Sequence, residues 1–146
     1  MGTRSRIGVM HGDKLKSVYC HWDGYLEHNG RILQEHYDSA KANQLVALGD
    51  LSSLDKEVAI PEGVAHSFQV PLDGITVFYG RDRGETGTEF KVAQTFEEFL
   101  EQCDNCGAEY YYIMQDEVWY CGDTYSSTGI SKKLVPLADA LTEVVA

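Results

Sequence analysis

Two strand pairs closed by tight turns constrain this chain more than any other feature. Arg6–Met10 and Leu15–Trp22 flank His11-Gly12-Asp13-Lys14, and Tyr110–Met114 and Val118–Cys121 flank Gln115-Asp116-Glu117. β-branched and aromatic residues on either side of such turns predict antiparallel hairpins. Helical spacing appears between them. Ile32, Leu33, His36 and Tyr37 form one apolar stripe, and Ala42, Leu45, Val46 and Leu48 form a second behind an Asp38 or Ser39 cap, with Gly49 as the stop. Thr95 is placed to cap a helix over about 95–104 with Phe96, Phe99 and Leu100 inward. A last helix is expected over 134–145, with Leu137, Leu141, Val144 and Val145 inward. Ile75–Tyr79 predicts a central strand with Phe90–Ala93 as its antiparallel neighbour, and His66–Val70 a short strand among the loops of 50–74.

This alternation predicts an α+β domain spanning 1–146, a mainly antiparallel sheet packed with two to four helices. A chain of 146 residues suits a single core. No apolar run approaches the roughly 20 residues needed to cross a bilayer. The arginine-bearing start lacks the apolar segment of a secretion signal, and Arg6 stands where a myristoylation pattern wants Ser or Thr. The expected location is the cytoplasm.

Charge divides the chain. Residues 1–84 hold nine Lys/Arg and eleven Asp/Glu, whereas residues 85–146 hold three and twelve, within a net charge of −11. Between Lys91 and Lys132 there is no Lys or Arg, while Glu97, Glu98, Glu101, Asp104, Glu109, Asp116, Glu117 and Asp123 all fall there. A field of that sign repels nucleic acid and attracts basic proteins. The candidate partner-binding set is therefore Glu97, Glu98, Glu101, Asp104, Asp116 and Glu117, with Tyr111 and Trp119 as aromatic anchors. Solvated acidic faces that keep a protein soluble are the plainer reading of the same charges.

Four of the five arginines sit in two short segments, Arg4 and Arg6 at the start and Arg81 and Arg83 after the Ile75–Tyr79 run. Between them lies His21-Trp22-Asp23-Gly24-Tyr25. If the chain carries a ligand pocket, its residues are Arg4, Arg6, His21, Trp22, Asp23, Tyr25, Arg81, Asp82 and Arg83, gathered at strand ends to hold a phosphate or a nucleotide. In that case Arg4, His21, Asp23, Arg81 and Asp82 converge in space, or Arg and Asp form an internal network tying the N-terminus down. His21 and Asp23, two apart on a strand, also fit a general acid–base pair of a small hydrolase. No nucleophile elbow, P-loop, zincin helix or EF-hand pattern is present, so a non-enzyme is favoured. Cys103-Asp104-Asn105-Cys106 has zinc-knuckle spacing and Cys121 follows, but a closed site wants a second pair. Free thiols and no cofactor are the expectation.

Taken together, Met1–Ser5, His21–Tyr25, Gly49–Leu54 and Tyr79–Glu85 resemble motifs of a family of small phage and prophage proteins. The resemblance spans the chain, and Cys103 and Cys106 lie outside its shared pattern. It implies an accessory protein acting in the host cytoplasm, such as an anti-CRISPR-like or anti-restriction inhibitor of a host defence or nucleic-acid-processing protein. Sequestration of a defence signal nucleotide is the alternative, and a homo-oligomer is compatible with either.

Overall fold

The computed structural model describes residues 3–123 and 134–145, with side chains through Thr142. Eight strands form one mixed sheet: β1 (Ser5–His11), β2 (Lys14–Cys20), β3 (Leu51–Ser53), β4 (Val77–Phe78), β5 (Lys91–Ala93), β6 (Tyr110–Gln115), β7 (Val118–Asp123) and β8 (Val135–Pro136). Their order is β4-β3-β2-β1-β6-β7-β8, with β5 paired antiparallel to β2 beside β3. Pairing is mostly antiparallel, as the two hairpins dictate. β1 and β6 run parallel, and β2 meets β3 in parallel at Cys20 and Leu51. The domain is α+β.

Helices cover both faces. They are α1 (Arg31–His36), α2 (Ser39–Ala47), α3 (Tyr79–Arg83), α4 (Phe96–Cys106) and α5 (Leu137–Val145), one more than the upper count expected, and a π-helical turn (Leu26–Gly30) precedes α1. Asp38 and Thr95 cap α2 and α4 as the sequence indicates, accepting from the Lys41 and Glu98 amides. One core joins Ile7, Val9, Val18, Cys20, Tyr112, Met114, Trp119 and Cys121 to Leu33, Leu45, Leu137 and Leu141. The other joins Leu15, Tyr111 and Ile113 to Phe99, Cys103 and Ala108 under α4. Alternation along β1, β2 and β6 sends neighbouring residues to opposite cores.

Four sequence expectations are corrected. Ile75–Tyr79 is not a central strand: β4 keeps two residues at the end of the sheet order, because the Asp82 carboxylate takes the Phe78 amide and the chain turns into α3. β5 pairs with β2 and not with β4. His66–Val70 is not a strand, since its polar groups close local turns, Ser67 Oγ accepting from Val70 N and His66 Nδ1 from Leu72 N. The last helix starts at Leu137, after β8. Val144 and Val145 lie outside the described side chains.

Candidate functional site

The β1–β2 register sets the geometry of the N-terminal corner. Arg6 faces Tyr19 and Ser5 faces Cys20, so Arg4 and His21 are the next positions beyond the ladder, on the same sheet face as Arg6 and Tyr19. Arg6 is 1% exposed. Its Nε donates to Ser17 Oγ at 2.9 Å and its Nη2 to Ser17 O at 3.0 Å, while Nη1 meets only the Cys106 sulfur at 3.8 Å. Among the described residues no carboxylate forms an ion pair with it. Arg4 is exposed, and its Nη1 packs so closely over Gly107 that a Cβ there would lie 2.8 Å away. Both guanidiniums thus sit against the C-terminal end of α4, where the helix dipole favours cations.

Tyr19 and His21 share a hydrogen bond of 2.6 Å between the hydroxyl and Nδ1. Burial pushes the Tyr19 hydroxyl up to about 12, against the opposing pull of the Arg4 charge. Burial, and then Arg4, move the His21 ring below its ordinary value. With the hydroxyl protonated, the bond is assigned as Tyr19 O–H donating to Nδ1. A neutral His21 then carries its hydrogen on Nε2. Trp22 stands edge-on to His21 with ring centres 4.6 Å apart and is 43% exposed.

The rest of the His21–Tyr25 motif builds a loop. His21 N and Trp22 N donate to Leu51 O and Ser52 O, and Asp23 then takes a left-handed backbone (φ 55°) that ends the alternation. His21 is bonded to Tyr19 and not to Asp23, so the acid–base pair expected from their spacing is not formed. Gly24 passes so close to β1 that a Cβ would meet Ser5 Cβ at 2.7 Å, its N–H donates to Thr3 O, and its carbonyl accepts the Tyr112 hydroxyl at 2.6 Å. Tyr25 lies at the surface against His28. Sequence reading missed Asn29, which is fully buried and donates to Ser5 Oγ, Cys20 Sγ and Trp22 O. Its only signal was a polar residue inside a turn.

Arg81 and Asp82 belong to a second site. Asp82 accepts Arg81 Nε at 2.9 Å and the Phe78 amide at 2.8 Å, and Arg81 also donates to Val58 O and Thr76 O while stacking on Phe78. His66, missed from sequence, is buried with Nε2 3.2 Å from Asp82 Oδ2, off the line of a good hydrogen bond. Burial opposes ionisation of Asp82, but Arg81, the Phe78 amide and His66 outweigh it and hold the carboxyl below its usual range. This is the internal Arg–Asp network, although it fastens the 54–76 segment and not the N-terminus. Arg83 stacks on Phe68 at 4.7 Å and pairs with Glu85. The register thus pairs Arg4 with His21, and hydrogen bonds pair Arg81 with Asp82.

The acidic residues are arranged by α4 and one turn. Glu97, Glu101 and Asp104 recur at helical spacing and are exposed, while Phe99 and Cys103 fill the buried side, and Glu98 is half-buried. Asp116 and Glu117 are exposed in the β6–β7 turn with φ of 52° and 65°. The expected anchors are not available. Tyr111 is fully buried edge-on against Phe99, and Trp119 is 4% exposed with Nε1 donating to Tyr37 O. Tyr111 and Tyr112 go to opposite cores, and of the hairpin's five aromatics only Tyr110 and Tyr120 keep partial exposure. Cys103, Cys106 and Cys121 do not form one metal set, because Cys103 lies under α4 and Cys121 in the opposite core. All four cysteines are free thiols, and burial pushes Cys20 and Cys121 up to about 11. Among the described residues no group of three or more His, Cys, Asp or Glu is placed to hold a metal, and no described helix is long and apolar enough to cross a membrane.

The fold and these two surfaces define the class only as a small α+β domain. Comparison with known protein families, curated proteins and solved structures gives no match.

Proposed function

We propose that this chain is an accessory inhibitor, of the kind phages direct at host defences, that docks through its acidic surface on a basic nucleic-acid-processing protein. The observation that supports the reading is the row Glu97, Glu101 and Asp104 on the solvent side of α4, none of which takes part in a described ion pair. Gln115 lines the same cleft as Thr95 and Phe96 at the start of that helix, whereas Glu117 lines a second cleft with Gln34 and Glu35. Two acidic residues in left-handed backbone, where Asn-Gly or Asp-Gly is preferred, keep carboxylates in the turn at a conformational cost. Unlike-charge steering raises association rate and is weakened by salt.

The test compares the parent with a Glu97→Lys/Glu101→Lys/Asp104→Lys variant in capture from host lysate at low and high salt, after melting curves show that the variant folds. The reading expects a basic protein retained by the parent, released by salt and by duplex DNA, and lost from the variant. Equal capture by the variant overturns it.

A further inference from the structure

We propose that the corner formed by Arg4, His21 and Trp22 is a binding site for a mononucleotide, the phosphate on Arg4 and His21 and the base on Trp22. The site adjoins the C-terminal end of α4, and its composition differs from the nine-residue pocket expected from sequence. Arg81, Asp82 and Arg83 are engaged elsewhere, and Asp23 and Tyr25 belong to the loop.

Three independent observations carry it. The register places Arg4 opposite His21 on one face, and neither the Arg4 guanidinium nor His21 Nε2 has a hydrogen-bond acceptor among the described residues. A neutral imidazole with Nδ1 already held presents its Nε2–H outward as a fixed donor, beside a guanidinium whose fork suits phosphate oxygens. Beneath them lies Arg6, a nearly completely buried guanidinium with no carboxylate partner and with Nη1 facing only a thiol. A charge buried this way is ordinarily paired. Here its field adds to that of Arg4, making an electropositive corner in a chain of net charge −11. Asp50, a carboxylate whose charge reaches Arg6, accepts the Tyr19 amide, and burial moves it above its usual range.

The third observation selects the ligand class. Trp22 is among the few large apolar side chains left exposed, and it stands at right angles to the His21 ring. An indole beside a phosphate-binding pair offers a stacking surface for a planar base. Inorganic phosphate would use only the Arg4–His21 pair. Arg4 is held for this work by Gly107, whose missing Cβ leaves room for its guanidinium at the end of α4.

Calorimetric titration with AMP, inorganic phosphate and adenosine tests the assignment on the full chain. AMP is expected to bind with a Kd below about 1 mM and at least about tenfold more tightly than either fragment. Arg4→Ala should weaken AMP at least about tenfold, and Trp22→Ala should bring AMP down to the level of inorganic phosphate. Arg31→Ala, which removes an equal charge from α1, should leave binding unchanged. Melting curves of both site variants within a few degrees of the parent show that lost binding is not lost folding. The proposal fails if AMP binds no better than inorganic phosphate, if Arg4→Ala and Arg31→Ala behave alike, or if no binding is seen.

Discussion

Arginines in two places on this molecule have opposite surroundings. At α3, Arg81 donates to a carboxylate and two carbonyls, and Asp82 receives an amide as well as the guanidinium. At the N-terminal corner, Arg6 is buried deeper yet meets one serine and one thiol, and Arg4 meets no described acceptor. A satisfied network rigidifies the segment it crosses, whereas unsatisfied donors are where an outside anion gains most. The first set reads as a clamp and the second as a site.

The largest effect expected from this contrast is at Asp82. Its side chain is 1% exposed. Asp82→Ala strands Arg81 and the Phe78 amide, and should cost about 3–5 kcal/mol in urea unfolding. Loss below about 1 kcal/mol would mean that the clamp is replaceable by water. The same carboxyl gives a pH signature. Its folded pKa lies below the unfolded value of about 3.9, so its contribution is complete above that value and fades as pH falls through the folded one. Stability of the parent should therefore drop more steeply than that of Asp82→Asn below about pH 4.

Next comes Gly24, where an added methyl meets Ser5 Cβ and Thr3 O. Gly24→Ala should lose about 1–3 kcal/mol, measured by thermal melting. Tyr112→Phe, which removes the hydroxyl from the Gly24 carbonyl, should lose about 1 kcal/mol. Glu117→Gly should go the other way. It relieves a left-handed non-glycine residue and is expected to stabilise by about 1 kcal/mol while weakening capture of a basic partner. A destabilised Glu117→Gly variant would show that the turn is held by contacts of the Glu117 side chain.

How much of this was legible in the sequence depended on how local the cause was. The two hairpins and the Asp38 and Thr95 caps were readable because short-range turn and capping chemistry decides them. Ile75–Tyr79 misled because Ile75 only bridges Glu57 and Val77 pairs only with Ser53 at the end of the sheet, so its β-branched residues are buried without a place inside the sheet. Tyr111 and Trp119 misled because helices cover the sheet on both sides where these two sit, so alternation sends them to two different cores. His66 and Asn29 are polar residues in loops, and only the fold shows that their partners lie at Asp82 and at Ser5. The Arg4–His21 pairing was half-visible: the clustering was in the sequence, but the register that sets the pair side by side was not.

Urea unfolding of Arg4→Ala and Arg81→Ala, measured side by side in one buffer, tests the division between clamp and site most directly. The account expects Arg4→Ala to stay within about 0.5 kcal/mol of the parent and Arg81→Ala to lose about 2–4 kcal/mol. Equal losses, or the larger loss at Arg4, would contradict it.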